Sequence, residues 1–440
     1  MSREQERIKK KLEKNPILEC NKIQQKFYPE LFSEFANVDD PRNQSYIEYP
    51  MKTMLGTLYY KCIGGISSMR EMTNKFNDES VVNNLYSFIG DERQNYMPHG
   101  VTVNELLEKL NPTELEDVQK DIVYKMIRRK TFDDARVLKK WQVIVDATEL
   151  DEGYQKKNDH YLSRCYNKGE SDEYVRYHRS MLEAKIYFGD NLVCSIASET
   201  IENSEEYINQ SNEAVKQDCE SKAFVRLAAK IKEKFPRLPI IITADGLYVT
   251  KTVLQICKEY HWDYIIRYKE GCASSIAKEY HALPEKEIVG TDIEYQNRIM
   301  FNDFDVNLIY YREKQMIKGE EKETKFAWIT SIEITKTNAR KIVGAGRNRW
   351  KIENQGFNRQ KHWQGNIGHA CSWNECAQKN HYLMEQIADF IKQLYEHFFL
   401  KKNEIKKLQK NISSELLASF VRQLTETEDI NTELHSAVLN

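Results

Sequence analysis

The spacing of apolar and polar positions divides the chain of 440 residues into regions of different texture. From 20 to 137, apolar residues recur at helical spacing, as in "YPMKTMLGTLYYKCIGG" and "NELLEKLNPTELEDVQKDIVYKMIRRK". A recurrence every three or four residues lays them on one face of each helix. Between these runs, "GISSMREMTNKFNDESVVNNLYSFIG" reads as short helices begun by Ser and Asp, whose oxygens accept from first-turn amides. Residues 1–16 read as a charged, frayed helix, and a helical N-terminal domain is expected to end near 138. At 141 the texture changes. "WQVIVDAT" (141–148) is a compact β-branched run expected to be a buried strand. A long polar stretch follows at 150–179, with Tyr154, Tyr161, Tyr166, Tyr174 and Tyr177 among Lys and Arg. "EAKIYFG" and "LVCSIASE" predict a hairpin around Gly189, Asp190 and Asn191, residues that tolerate a tight turn. A helix over about 211–235, a strand in "RLPIIITADG", a helix over 249–260 and a strand in "WDYIIRY" complete the series. Three strands, then helix, strand, helix, strand, predict an α/β fold with a mixed sheet flanked by helices. Strand-rich residues 271–336 interrupt it, as an inserted β subdomain would, and helical texture returns from 337 to the tail.

Composition narrows the class. Hydrophobic residues at 40% and charged residues at 30% fit a folded chain, and the length suggests two or three domains. No apolar run approaches the roughly 18 residues that span a bilayer, and "MSREQERIKKKLEKNPILEC" lacks the apolar core of a signal peptide. A cytoplasmic protein without membrane association is expected. Nine cysteines without a CxxC pair fit a reducing compartment. Cys371 and Cys376 lie near His362 and His369, at a spacing that fits no zinc finger. The net charge of -2 argues against a chain coated in nucleic acid, but the charge is uneven. Residues 337–363 carry seven Lys or Arg against one acid, and residues 118–140 carry eight against three. Such patches suit a groove for phosphates; a solvated helix face is the competing reading.

Asp146 and Asp245 each end a strongly apolar strand, at the carboxyl edge where open α/β sheets place their ligands. One such Asp reads as a cap or turn former. Two on neighbouring strands point to a shared site, where close carboxylates need a cation or a proton between them. Glu353 stands alone among cations and aromatics in "RWKIENQGFNRQKHW", residues 349–363. On a helix, Arg349, Glu353 and Phe357 form one stripe, and Trp350 with Phe357 would dock that helix and aim Glu353 at the two Asp residues. A plain surface ion pair between Arg349 and Glu353 is the alternative. Three oxygen ligands without His or Cys suit Mg²⁺ or Mn²⁺, and two such ions about 3.5–4 Å apart suit phosphodiester chemistry. Arg347, Arg349, Lys351, Arg359 and Lys361 are candidate phosphate contacts. Trp328 is a candidate to stack on a displaced base, or else a core residue of the β insertion.

"VIVDAT", "IITADGLY" and "RNRWKIENQGFNRQKH", in this order and with an insertion before the last, resemble the DDE transposases of bacterial insertion sequences. "FANVDDPRNQSYIEYP" is similar to the start of such proteins. The resemblance, to the cut-and-paste group, implies an RNase H-like core at 139–270 and 337–400 and a β-rich insertion at 271–336. A helical DNA-binding domain at 1–138 and a helical tail at 401–440 complete the implied layout. It further implies Asp146, Asp245 and Glu353 as the catalytic, metal-binding acids, with two Mg²⁺ or Mn²⁺ ions. The implied partners are double-stranded DNA, as transposon ends and target, and a second copy of the chain in the synaptic complex. The implied activity is phosphodiester hydrolysis at terminal inverted repeats and transfer of the 3′-hydroxyl into target DNA, in a nucleoid-associated protein. Relatives carry Tyr, Arg, Glu and Lys around the last acid. Arg349 and Glu353 match, whereas Gly346 stands at the Tyr place and Gln360 at the Lys place, with Lys361 next. A catalytically silent DNA-binding regulator and a structure-specific RNase H-like nuclease are the alternatives.

Overall fold

The computed structural model describes residues 14–209, 216–283, 285–317 and 320–421. The helices expected at 1–16 and 211–235 and the helical tail to 440 lie partly outside the described residues. Ten strands form one mixed sheet. Its core comprises β1 (Trp141–Gly153), β3 (Tyr174–Tyr187), β4 (Val193–Ile201), β5 (Ile240–Ala244) and β6 (Asp263–Arg267). β1 lies between antiparallel β3 and parallel β5; β4 pairs antiparallel with β3, and β6 pairs parallel with β5. The spatial order β4-β3-β1-β5-β6 is the RNase H-like arrangement. The expected hairpin forms at β3–β4, with positive φ at Gly189, Asp190 and Asn191.

The polar stretch 150–179 is a ribbon. β1 runs on to Gly153, β3 begins at Tyr174, and β2 (Leu162–Tyr166) pairs beside it. Beyond its base, where Leu150, Tyr161 and Leu162 are buried, water wets both sides of this ribbon, so no apolar alternation marks it in the sequence. Cross-strand contacts hold it instead: Tyr166 stacks on Tyr174 at 5.0 Å and Arg176 meets Glu152 at 3.1 Å. The expected β insertion contains β7 (Glu287–Val289), β8 (Ile293–Phe301), β9 (Phe304–Ile317) and β10 (Glu320–Thr330). It also holds a helix, Ser274–Ala282, that buries Ile276, Ala277 and Tyr280. β10 pairs antiparallel with β6, so these strands continue the core sheet.

Helices cover both faces. In chain order they are α1 (Pro16–Phe27), α2 (Leu31–Asn37), α3 (Met51–Ile63), α4 (Met69–Phe76), α5 (Glu79–Ile89), α6 (Gly100–Leu107) and α7 (Pro112–Ile127). After β4 come α8 (Glu205–Asn209), α9 (Glu220–Lys234) and α10 (Lys251–Tyr260), and α11 is the Ser274–Ala282 helix. The last group is α12 (Ala339–Arg347), a π-helical turn (Ile352–Phe357), α13 (Asn358–His362), α14 (Glu375–Tyr395) and α15 (Gln409–Phe420). α9 packs over β3 and β4 and α10 over β6, on the face that carries Val143, Val145, Ile240 and Ile242. α12 packs on the other face, against Ile241 and Ile265.

α14 is almost wholly buried although rich in Gln, Asn, Lys and Asp. Burying polar groups is costly unless they are bonded, and the bonds these make tie the N-terminal helices to the sheet. Asn380 donates to the carbonyls of Leu107 and Leu110 at 3.0 and 2.8 Å. Lys392 donates to those of Cys62 and Gln364 at 2.8 and 2.6 Å. Gln393 exchanges two bonds with the backbone of Val193.

Candidate active site

The carboxyl edge of the core sheet carries a row of functional side chains. Ile144 of β1 pairs with Thr243 of β5, and Ala244 pairs with Ile266 of β6. Carrying that register forward sets Asp146, Asp245 and Arg267 on one rung of three adjacent strands, about 4.8 Å apart per step. Trp328 of β10 pairs directly with Arg267 and extends the rung. β5 ends at Ala244 because Asp245 turns its carboxylate onto the chain, accepting from the Leu247 amide at 2.8 Å and capping the turn Gly246–Tyr248.

Side chains two residues apart share a face, so Gln142, Ile144 and Asp146 all look toward α12 and the π-helical turn. Gln142 donates to the Ala345 carbonyl at 2.6 Å and accepts from Asn348 at 3.0 Å. Ile144 packs with Ile352 and Phe357. This docking delivers Glu353 to the edge. Arg349 lies one helical turn before it, with Nη1 at 3.1 Å from Asp146 and Nη2 at 2.8 Å from Glu353. The guanidinium is buried and lies over the Trp350 ring at 4.2 Å. Arg349 therefore makes the expected pair with Glu353 and also joins it to the first strand acid.

Burial pushes the Asp146 carboxyl up to about 7; the Arg349 charge opposes this, and the Glu353, Asp245 and Glu220 charges reinforce it. At this group burial and three neighbouring carboxylates together outweigh the Arg349 guanidinium. Carboxylate oxygens are the donor type a divalent cation of the Mg²⁺ class takes, although those of Asp146, Asp245 and Glu353 do not all lie within 4.8 Å of one another.

Two members of the edge escape the sequence reading. Arg267 closes the apolar strand "DYIIR" where Asp146 and Asp245 close theirs, and that parallel is the signal that marks it. Its guanidinium lies over Phe326 and Trp328 at 4.7 and 5.3 Å. Burial lowers its proton affinity, and the nearby charges of Arg347 and Arg349 lower it further. Glu220, the first residue of α9, is held by the Tyr248 hydroxyl, which donates to its Oε2 at 3.2 Å. At a helix start a Glu reads as a dipole partner, so no local pattern reveals this role.

The remaining candidates separate by burial. Arg347 is half-buried, pairs with Glu313 at 3.0 Å and lies over Phe326 at 4.2 Å, beside Arg267. Lys351 is half-buried and donates to Asn191 in the β3–β4 turn. Lys361 is half-buried too; burial lowers its proton affinity against the pull of Glu149. Two expected DNA contacts require correction. Trp328 is 1% exposed and packs so tightly under α12 that a Cβ on Gly346 would stand 2.4 Å from its indole. It is a core residue, closed to base stacking, and it accounts for the glycine at 346. Arg359 is also 1% exposed, with Nε at 2.6 Å from Asp389 and Nη1 at 2.8 Å from Glu396. These acids take three of its N–H groups, and its burial closes the guanidinium to a phosphate. Gln360 is buried beside it, donating to Gln386 at 2.9 Å and Asp389 at 3.0 Å, so it faces α14 and not the acids.

Among the described residues, the acids and histidines whose ligand atoms all lie within 4.8 Å of one another are His160, Glu202 and Glu375, where Lys379 already pairs with Glu202 at 2.6 Å. No helix among the described residues is long and apolar enough to cross a membrane. No curated protein matches the chain. Residues 216–368 match the family model described as the transposase DDE domain, a span that contains Glu220, Asp245, Arg267, Arg349 and Glu353. Together with the RNase H-like sheet and the row of acids at its carboxyl edge, this match identifies the chain as a carrier of a transposase DDE domain.

Proposed function

We propose that the protein is a DNA transposase that binds the terminal inverted repeats of its element, cleaves the phosphodiester there and joins the 3′-hydroxyl to target DNA. One observation carries the reading: β1 and β5 pair in parallel up to Ile144 and Thr243, each two residues before its Asp, and Arg349 links Asp146 to Glu353 at 3.1 and 2.8 Å. In this proposal the three acids hold two Mg²⁺ or Mn²⁺ ions. Ions held there would supply activation of a water or hydroxyl on one side of the phosphorus and stabilisation of the leaving oxygen on the other.

The chain's own groups do the rest. Arg267 and Arg347 stand beside the acids as phosphate partners, and Lys351 and Lys361 extend that cationic strip. Arg349, which bridges Asp146 and Glu353, would have a DNA phosphate as its alternative partner were those carboxylates neutralised. The helices of residues 1–138 serve as the DNA-binding domain, the core being divided at 139–270, 271–336 and 337–400 with the tail beyond. Two copies pair the two ends, in a cytoplasmic, nucleoid-associated complex.

The test uses duplex DNA carrying the sequences that flank the gene, incubated with full-length protein and Mg²⁺. Wild type is expected to nick the end and transfer it. Asp146→Asn, Asp245→Asn and Glu353→Gln are expected to bind the same DNA without cutting it. Cleavage retained in all three variants would falsify the assignment, and end binding without cleavage by wild type would favour a silent regulator.

A further inference from the structure

Residues 401–410, "KKNEIKKLQK", carry five Lys against one Glu, and the site described above uses none of them. They help to wall a cavity of about 810 Å³. Its other sides are the β3–β4 turn at Asp190 and Asn191, Gln355 of the π-helical turn, and a second π-helical segment, Glu396–Lys401, at the end of α14. Such turns are rare and concentrate at functional sites, and here two of them border one cavity. Gln355 lies four residues after Lys351, on the same side of its helix, and Lys351 donates to Asn191 at the cavity wall. The cationic strip beside the acids therefore continues to this cavity. The lysine segment is fixed in place. Leu400 and Ile405 are buried, the Ile405 amide bonds to the Leu400 carbonyl at 2.9 Å, and the Asn403 side chain donates to the Phe399 carbonyl at 2.8 Å. Its charges divide into two groups. Lys401 meets Asp190 at 3.5 Å, Lys407 pairs with Glu415, and the Glu396 carboxylate is taken by Arg359. Lys402, Lys406 and Lys410 are exposed and have no carboxylate partner among the described residues. Cations crowded on one short segment repel one another, and a polyanion relieves that repulsion. The residues lining the cavity include no Phe, Tyr or Trp on which a base could stack, so the surface fits a phosphate backbone and not an unpaired strand.

We propose that residues 401–410 form a second phosphate-binding surface, which grips duplex DNA on the β3–β4 side of the proposed centre through Lys402, Lys406 and Lys410. The inference rests on the DNA-processing reading given above. It is tested with full-length protein and a duplex carrying the sequences that flank the gene, by fluorescence anisotropy across a salt series. Lys402→Gln, Lys406→Gln and Lys410→Gln, combined in one chain, should leave the melting temperature unchanged. The same variant should reduce the slope of log K against log salt by about two to three. Arginine at all three positions should restore the wild-type slope. A control combines Lys222→Gln, Lys258→Gln and Lys278→Gln, which are exposed on α9, α10 and α11, and should keep the wild-type slope. A wild-type slope in the first variant overturns the proposal. An equal fall in the control overturns it too, because net charge would then account for the effect. Cleavage separates the two levels of failure. If wild type cuts the duplex while the first variant keeps the wild-type slope, only this surface falls; if wild type neither binds nor cuts, the transposase reading falls with it.

Discussion

Asp146 permits a quantitative test because its charge is buried and crowded at once. Burial, reinforced by Glu353, Asp245 and Glu220, moves its carboxyl from 3.8 to about 7, although Arg349 stands 3.1 Å away. A shift of that size corresponds to roughly 4 kcal/mol against ionisation, at about 1.4 kcal/mol per pH unit. The side chain keeps 16% of its exposure, so water screens part of the repulsion and about 2 kcal/mol is the working figure. Below pH 3.8 the carboxyl is protonated in the folded and unfolded chain alike. Between that value and about 7 the folded chain keeps a proton that the unfolded chain has released. The folded state then binds more protons, so stability falls as pH rises through this window and levels off above it. Asp146→Asn cannot ionise and removes the slope. In metal-free buffer the variant is expected to exceed wild type by about 2 kcal/mol at about pH 8 and to lose most of that advantage near about pH 4. Urea midpoints across that range, with circular dichroism as the probe, measure it, and added Mg²⁺ should narrow the gap by relieving the repulsion in wild type. A variant less stable than wild type at the alkaline end, as a dominant Arg349–Asp146 ion pair would demand, refutes the reasoning. Parallel pH profiles refute it equally.

Arg359→Met leaves Asp389 buried without its main partner and should cost about 3–5 kcal/mol of stability, read by urea denaturation, while folded molecules bind DNA normally. Weakened DNA binding at unchanged stability would return Arg359 to the phosphate contacts. Gly346→Ala places a methyl group 2.4 Å from the Trp328 indole. It should lower stability by about 1–3 kcal/mol and shift the tryptophan emission, whereas a neutral effect would mean that α12 does not lie against Trp328. Arg267→Ala and Arg347→Ala should each reduce the slope of log K against log salt for duplex DNA by about one; an unchanged slope removes that residue from the phosphate strip.

Asp146 and Asp245 are legible in the sequence because each interrupts a run of β-branched residues at a point where a core tolerates no charge. Arg267 interrupts a third run in the same way, but its meaning depends on the register of β5 against β6, which no local pattern encodes. Glu220 is harder still, because its partners Tyr248 and Asp245 become neighbours only once α9 crosses the sheet. Arg359 and Gln360 mislead for the opposite reason. Polar residues in a helix normally face water, and the acids that receive these two, Asp389 and Glu396, lie some thirty residues downstream on and beside α14. The layout of the core, with a hairpin followed by alternating helices and strands, shows through the periodicity. The ribbon at 150–179 does not, since a strand wet on both faces has no apolar side to repeat.

The π-helical turn at Ile352–Phe357 has a consequence for how such a chain can change. An α-helix advances about 100° per residue, and a π turn holds roughly one residue more, so it rotates everything after it by about that angle. Arg349 and Glu353 are thereby turned to the strand acids while Arg359 and Gln360 are turned to α14. What protects this division is a residue count. Loss of a single codon between 354 and 357 would leave every acid and every arginine in the protein, yet would swing one half of the helix away from its partners. Lineages of this chain can therefore exchange side chains along the helix far more freely than they can change its length.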